Sequence, residues 1–310
     1  MFISYLFVFL QVVSFTVAGY ANDPNVYELT PSNFDKVVRK TNYTTIVEFY
    51  APWCGYCKQL EPIYKQLGKL VHQEGKYAVN VAAVDCDKDE NKPLCSRYQV
   101  SGYPSLMVFR PPKYIVGDTK KPGRHVSETY NGERTLKAMW TFLQGRLKNY
   151  VKKFSTLKAD GVQQWLDETD SDVDSRKKVL LITQSKAISP TLKSLAIDFL
   201  ADYKFAMATA TDIKAVTGLS FDINGKPVEI PVQESDKLPL LITYNDETGE
   251  FVKYPGTKKD KNNSKKISQW LVDQNNGKLP HEGQLSKKEL KYYSKYRTGK
   301  ATEKIVHDEL

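Results

Sequence analysis

The run Thr45-Ile46-Val47-Glu48-Phe49-Tyr50 is β-branched and aromatic, interrupted by one acid. After Ala51-Pro52 it passes through Trp53-Cys54-Gly55-Tyr56-Cys57 into an apolar pattern of helical period: Leu60, Ile63, Tyr64, Leu67 and Leu70. A buried-type strand feeding directly into an amphipathic helix confines this part of the chain to an α/β architecture. It also sets the chemistry. A cysteine at the first turn of a helix meets backbone N–H groups that lack intrahelical partners, together with the positive end of the helix dipole. Both favour thiolate over thiol, so Cys54 is the expected nucleophile. Cys57, nearly one turn on, is placed to attack Cys54 and resolve a mixed disulfide. Gly55 lets the backbone turn tightly, and Trp53 can cover one side of the sulfur.

The strand–helix alternation runs through the first half. Residues 26–29, 78–85, 105–109 and 128–130 read as strands, and 30–38, 93–98 and 136–147 as helices. Strands separated by helices imply a sheet with parallel neighbours in it. The second half repeats the order with strand 178–183, helix 190–200, strand 203–209 and a run Leu238-Pro239-Leu240-Leu241-Ile242. A hairpin to residues 251–254 and a helix over 265–275 complete it. At the corresponding strand-to-helix junction stands Gln184-Ser185-Lys186, and no cysteine follows Cys95. Residues 110–126 read as a solvated loop; within 219–232, Asn224-Gly225 marks a hairpin turn. A chain of 310 residues has the length of two domains.

The segment from Val47 to Lys58 resembles the active-site segment of the protein disulfide isomerase family, within the thioredoxin superfamily. The resemblance extends over residues 24–150 and rests on separated motifs. Gly102-Tyr103-Pro104-Ser105 resembles the family's cis-proline loop, which lies opposite the dithiol and faces a bound peptide. Tyr130-Asn131-Gly132-Glu133-Arg134-Thr135 resembles the stretch that supplies a mobile arginine, and Glu48 matches the family's buried acid. The resemblance implies that Glu48 relays the Cys57 proton and that Arg134 stabilises the attacking Cys57 thiolate. It also implies that Trp53, Tyr56, Tyr103 and Pro104 contact substrate. The expected fold class is α/β, with two thioredoxin-like domains whose mixed central sheets are flanked by helices. The organisation is that of a small, two-domain, fungal-type isomerase with one CxxC. A catalytic domain occupies 24–150, a redox-inactive thioredoxin-like domain 151–280, and a C-terminal helix the start of 281–310.

One position departs from the family. Its isomerases carry histidine between the cysteines, where this chain has Tyr56. An imidazolium there would stabilise the reduced enzyme, so a less oxidising Cys54–Cys57 pair is expected. Cys86 and Cys95 could join Cys54 and Cys57 as zinc ligands, but their nine-residue separation is not a ribbon or knuckle spacing, and no metal is expected. They read as a second disulfide, an extra pair of the kind found in other family members, with two buried free thiols as the alternative.

The ends give an address. Residues 1–21 form an uncharged apolar run with Gly19 and Ala21 spaced as a cleavage site, a secretory signal; an uncleaved anchor is the alternative. His307-Asp308-Glu309-Leu310 is an endoplasmic-reticulum retrieval signal, which places the chain in the oxidising lumen. Sequons at Asn42 and Asn262 then become glycan acceptors. Residues 253–304 hold 14 Lys/Arg against 5 Asp/Glu, a net of +9 that equals the formal charge of the whole chain. In the lumen this basic stretch reads as a solvated face, or as a site for acidic clients or chaperones, and nucleic acid is excluded. The expected activity is thiol–disulfide exchange on unfolded or misfolded secretory proteins by a monomer without cofactor. Its other partners would be an ER oxidase, glutathione or a chaperone, and the HDEL receptor. The competing class is a redox-assisted holdase, a peptide-binding module for unfolded clients.

Overall fold

After a two-residue strand, β1 (Tyr27–Glu28), and one wide helical turn over Asp35–Arg39, the chain enters β2 (Thr44–Tyr50), which is buried along its whole length. The structure is a computed structural model that describes residues 19–21, 23–75, 77–112, 125–158, 160–168, 177–223, 225–245, 248–256 and 263–277. β2 lies between β3 (Val79–Asp85), parallel to it, and β4 (Ser105–Arg110), antiparallel to it. β1 adds parallel to β3, and β5 (Val126–Thr129) antiparallel to β4, giving the order β1-β3-β2-β4-β5.

The period-two alternation of β2 decides which side chain meets which helix. Ile46 and Tyr50 pack with Leu60, Tyr64 and Leu67 of α1 (Gly55–Lys69). Val47 and Phe49 face the other way, onto Phe34, Val37 and Leu94, the last on α2 (Lys92–Arg97). Met139 and Leu143 of α3 (Leu136–Gln144) join the α1 side. Glu48 shares the parity of Ile46 and Tyr50, so it lies on the α1 side. Its neighbours across the two seams are Ala83 and Leu106, an apolar setting for a carboxyl group.

The second half opens with β6 (Val151–Phe154) and α4 (Asp160–Asp167), two elements that the hydrophobic pattern did not announce. β7 (Lys177–Thr183), α5 (Pro190–Asp198) and β8 (Tyr203–Thr209) follow. β9 (Ser220–Ile223) and β10 (Lys226–Glu229) form the expected hairpin, turning at Gly225 with φ +74°. β11 (Leu240–Asn245), β12 (Glu250–Lys253) and α6 (Ser264–Gln274) close the unit. The sheet order is β12-β11-β7-β8-β6, with β7–β8 and β6–β8 parallel and the other two seams antiparallel. Strand for strand, this is the arrangement of the first sheet. The parallel extends to details. Leu238–Pro239, before β11, is cis like Tyr103–Pro104 before β4. At the N-terminus of α5, Ser189 accepts the Leu192 N–H, the cap position that Cys54 holds on α1.

α5 also joins the halves. The Tyr43 hydroxyl donates to Asp198, Ser194 Oγ accepts the Ala78 N–H at 3.0 Å, and Ile197 packs into the first core. The signal segment through residue 18, the centre of the 110–126 loop, Asn262, and everything from residue 278, including the C-terminal helix and retrieval signal, lie outside the described residues.

Candidate active site

Cys54 is the N-cap of α1. Its backbone is extended, and its sulfur accepts the Cys57 N–H at 3.3 Å. A helix start leaves its first N–H groups without intrahelical partners, and here the sulfur takes one of them. On the opposite side the Cys54 thiol donates to the Tyr103 carbonyl at 3.5 Å, and the Tyr103–Pro104 peptide is cis. The expected opposition of dithiol and proline loop is thus present. Trp53 and Tyr56 are 65% and 68% exposed, an aromatic margin beside a sulfur that is itself nearly covered. Trp53 is held in place: its indole N–H donates to Asp87 at 2.9 Å, and its ring meets Tyr103 edge-on at 5.9 Å.

Cys57 lies one turn inward and is 1% exposed. Burial foremost, with the Cys54 sulfur and the charge of Glu48 adding to it, pushes its thiol up to about 12. At neutral pH such a thiol keeps its proton, so reaction through Cys57 needs a base. Glu48, fully buried, is the carboxyl whose charge Cys57 feels. Burial raises it to about 7; a hydrogen bond from Tyr20 pulls down, Glu61 pushes up and Arg134 pulls down. A carboxyl poised near 7 is protonated and deprotonated with equal ease at working pH.

Arg134 is exposed, and its Nη2 donates to the Pro104 carbonyl at 3.1 Å. It is anchored on the proline loop, and from there its charge reaches Glu48. Cys54 and Cys57 are both free thiols, the reduced form of the pair. Cys86 and Cys95 are joined to each other, Sγ to Sγ at 2.00 Å, tying the end of β3 to α2.

Two features differ from the sequence reading. Tyr20, inside the apolar run assigned to the signal, is buried, and its hydroxyl donates to Glu48 Oε2 at 2.5 Å. No sequence signal pointed to it. The Asn42 sequon, in turn, sits in a setting that the sequence did not foretell. Asn42 Nδ2, the atom that would carry the glycan, is buried, and Thr44 is 1% exposed with its hydroxyl bound to the Arg146 carbonyl at 2.9 Å. A glycan must project into solvent, and the covered Nδ2 together with the bound Thr44 hydroxyl opposes one at Asn42 in the folded chain.

Residues 25–144 match the Thioredoxin family. Protein disulfide-isomerase MPD1 of Saccharomyces cerevisiae is 35% identical over 303 residues, covering 93% of this chain and 89% of the relative. The chain belongs to the protein disulfide isomerase family. Protein disulfide-isomerase erp38 of Neurospora crassa is 32% identical over 215 residues, 67% of this chain and 54% of that one. A mitochondrial thioredoxin domain-containing protein of Schizosaccharomyces pombe is 37% identical over 178 residues, 56% of this chain and 43% of that one. The chain thus spans about half the length of these two, but most of the first. As a member of the family it is a thiol–disulfide oxidoreductase on a thioredoxin-like fold, and Cys54-Gly55-Tyr56-Cys57 is the CxxC within the matched region.

Proposed function

We propose that the chain forms, breaks and rearranges disulfides of unfolded or misfolded secretory proteins in the lumen of the endoplasmic reticulum. The observation that carries this reading is the asymmetry of the dithiol. Cys54 caps a helix beside exposed aromatics and the proline loop, while Cys57 is buried within reach of the charge of Glu48. In the reducing direction, the Cys54 thiolate attacks one sulfur of a client disulfide, and the other client sulfur leaves as a thiolate. Cys57 then gives its proton to Glu48 and attacks Cys54; the Cys54–client bond breaks, the Cys54–Cys57 disulfide forms, and the second client thiolate departs. Oxidation of a client runs the same steps in reverse. Arg134, held at Pro104, lies where its charge steadies the anions formed on this face. Trp53, Tyr56 and Tyr103 bound the client's place. Beside Tyr103 an open groove lined by Lys92, Ser96 and Gln99 and by the Cys86–Cys95 pair gives the chain beyond the reacting cysteine a path.

The 151–280 unit, without cysteine, contributes binding and not exchange. The lumenal address rests on the apolar N-terminus and on His307-Asp308-Glu309-Leu310. An oxidase, glutathione or a chaperone would recharge or assist the dithiol, and the HDEL receptor would return it. Reactivation of scrambled ribonuclease by the native chain and by Cys54→Ser tests the reading, with the tagged full chain followed in cells. The native chain should reactivate and the variant should not, and deletion of residues 307–310 should send the protein into the medium. Equal rescue by both chains would turn the reading toward a holdase. Import of the tagged chain into mitochondria would remove the lumenal assignment.

A further inference from the structure

Glu48 has two oxygens with different fates. Oε2 accepts the Tyr20 hydroxyl at 2.5 Å, whereas Oε1 is buried and has no hydrogen-bond partner among the described residues. Tyr20 is fixed for this contact. Its ring is 2% exposed and stands edge-on to Tyr50 at 5.3 Å and Tyr64 at 5.7 Å, and Lys65 Nζ lies 5.7 Å from its centroid. A buried carboxyl held by one oxygen keeps one orientation and one free acceptor.

We infer that Tyr20 is a positioning residue for the resolving step: its hydroxyl holds Oε2 of Glu48, so that Oε1 is the oxygen that takes the Cys57 proton. The inference rests on the exchange chemistry proposed above and deepens it. A hydrogen bond donated to the charged carboxylate also favours that charge, against the burial that opposes it. The other groups that face Glu48 electrostatically are Cys57, Tyr64 and Glu61 on α1, Tyr50 on β2, and Arg134 before α3. Glu61 is itself paired with Lys65 at 2.5 Å. Among these groups Tyr20 is the one whose hydroxyl bonds a Glu48 oxygen. It acts from 28 residues upstream, inside the stretch expected to be removed as a signal.

That placement has a consequence for processing. Cleavage after Ala21 would remove Tyr20, whereas cleavage after Ala18 or Gly19 would keep it. On this inference the working chain begins at or before Tyr20.

The test uses the full chain carrying Tyr20→Phe, which keeps the ring and its aromatic contacts. A preformed mixed disulfide on Cys54 is allowed to resolve, and the rate is followed against pH. Loss of a hydrogen bond to a charged carboxylate should move the midpoint of resolution upward by about one to two pH units. The attack of Cys54 on client should be unchanged. In a Glu48→Gln background the same substitution should shift nothing. A native midpoint in Tyr20→Phe, or a shift that persists beside Glu48→Gln, overturns the inference; failure of the native chain to resolve at any pH would instead remove the enzyme reading. The mature N-terminus, read by mass spectrometry of the chain from the secretory pathway, is a second and independent test. A peptide starting at or before Tyr20 supports the inference, and one starting at Asn22 contradicts it.

Discussion

Replacing the buried acid should make the protein more stable where the acid is charged and leave it unhelped where the acid is neutral. Glu48→Gln keeps the shape of the side chain and an acceptor for the Tyr20 hydroxyl, but abolishes titration. Glu48 is raised from 4.5 to about 7 by burial. Between those values the folded state binds a proton that the unfolded state has released. Native stability therefore falls as pH rises through the window and levels off above it. At about 1.36 kcal/mol per pH unit, the loss between pH 5 and 8.5 is about 2.5 kcal/mol. The variant lacks this slope. Its new N–H donors, buried without acceptors, cost roughly 1–3 kcal/mol, but at every pH alike. His72, which burial lowers to about 4, tilts stability the other way as pH falls below 6.5; it does so in both proteins and cancels. Urea unfolding at several pH values in one redox buffer measures the difference. The gap between variant and native chain should move in the variant's favour by about 2.5 kcal/mol from pH 5 to 8.5. A gap that stays constant across that range would refute the assignment of Glu48 as a carboxyl poised near neutrality.

Other substitutions separate structure from chemistry. Cys86→Ala with Cys95→Ala opens a bridge spanning nine residues and should cost roughly 2–3 kcal/mol in urea unfolding while insulin reduction persists. Tyr56→His puts a cationic donor beside the dithiol and should shift its glutathione equilibrium toward the reduced form by at least tenfold, about 30 mV; an unchanged equilibrium would remove Tyr56 as the tuning position. Asn42→Gln should leave the endoglycosidase-sensitive mobility of the secretory-pathway protein unchanged, because the amide is buried.

The parts of the fold carried by local pattern were legible. β2, β3 and β8 are short runs rich in β-branched, aromatic or small apolar residues, and α1 shows its apolar stripe, so composition and period placed them. Leu238-Pro239 stands before a strand as Tyr103-Pro104 does, but its cis bond is shown by the structure alone. β6 escaped because Lys152 and Lys153 stand exposed between its buried ends, a polar centre that hides an edge strand. α4 has only three apolar positions, Val162, Trp165 and Leu166, behind the helix-weakening Gly161. The site divides in the same way. Cys54, Cys57 and the Tyr103–Pro104 loop sit at junctions that sequence marks with cysteine, glycine and proline. Tyr20 reaches Glu48 across the fold from a segment whose own composition signals export, and only packing reveals the contact. The covering of the Asn42 amide nitrogen is equally tertiary: a sequon is three residues of chemistry, while access to its amide depends on how neighbouring segments close over it.

The central claim is that a client sulfur is taken by Cys54 and released by Cys57. Cys57→Ser incubated with scrambled ribonuclease, quenched in acid and mapped by mass spectrometry, tests it directly. The account predicts a mixed disulfide that accumulates on Cys54, and none when Cys54→Ser is added to the same chain. A client linked through Cys86 or Cys95, or no covalent complex at all, would contradict it.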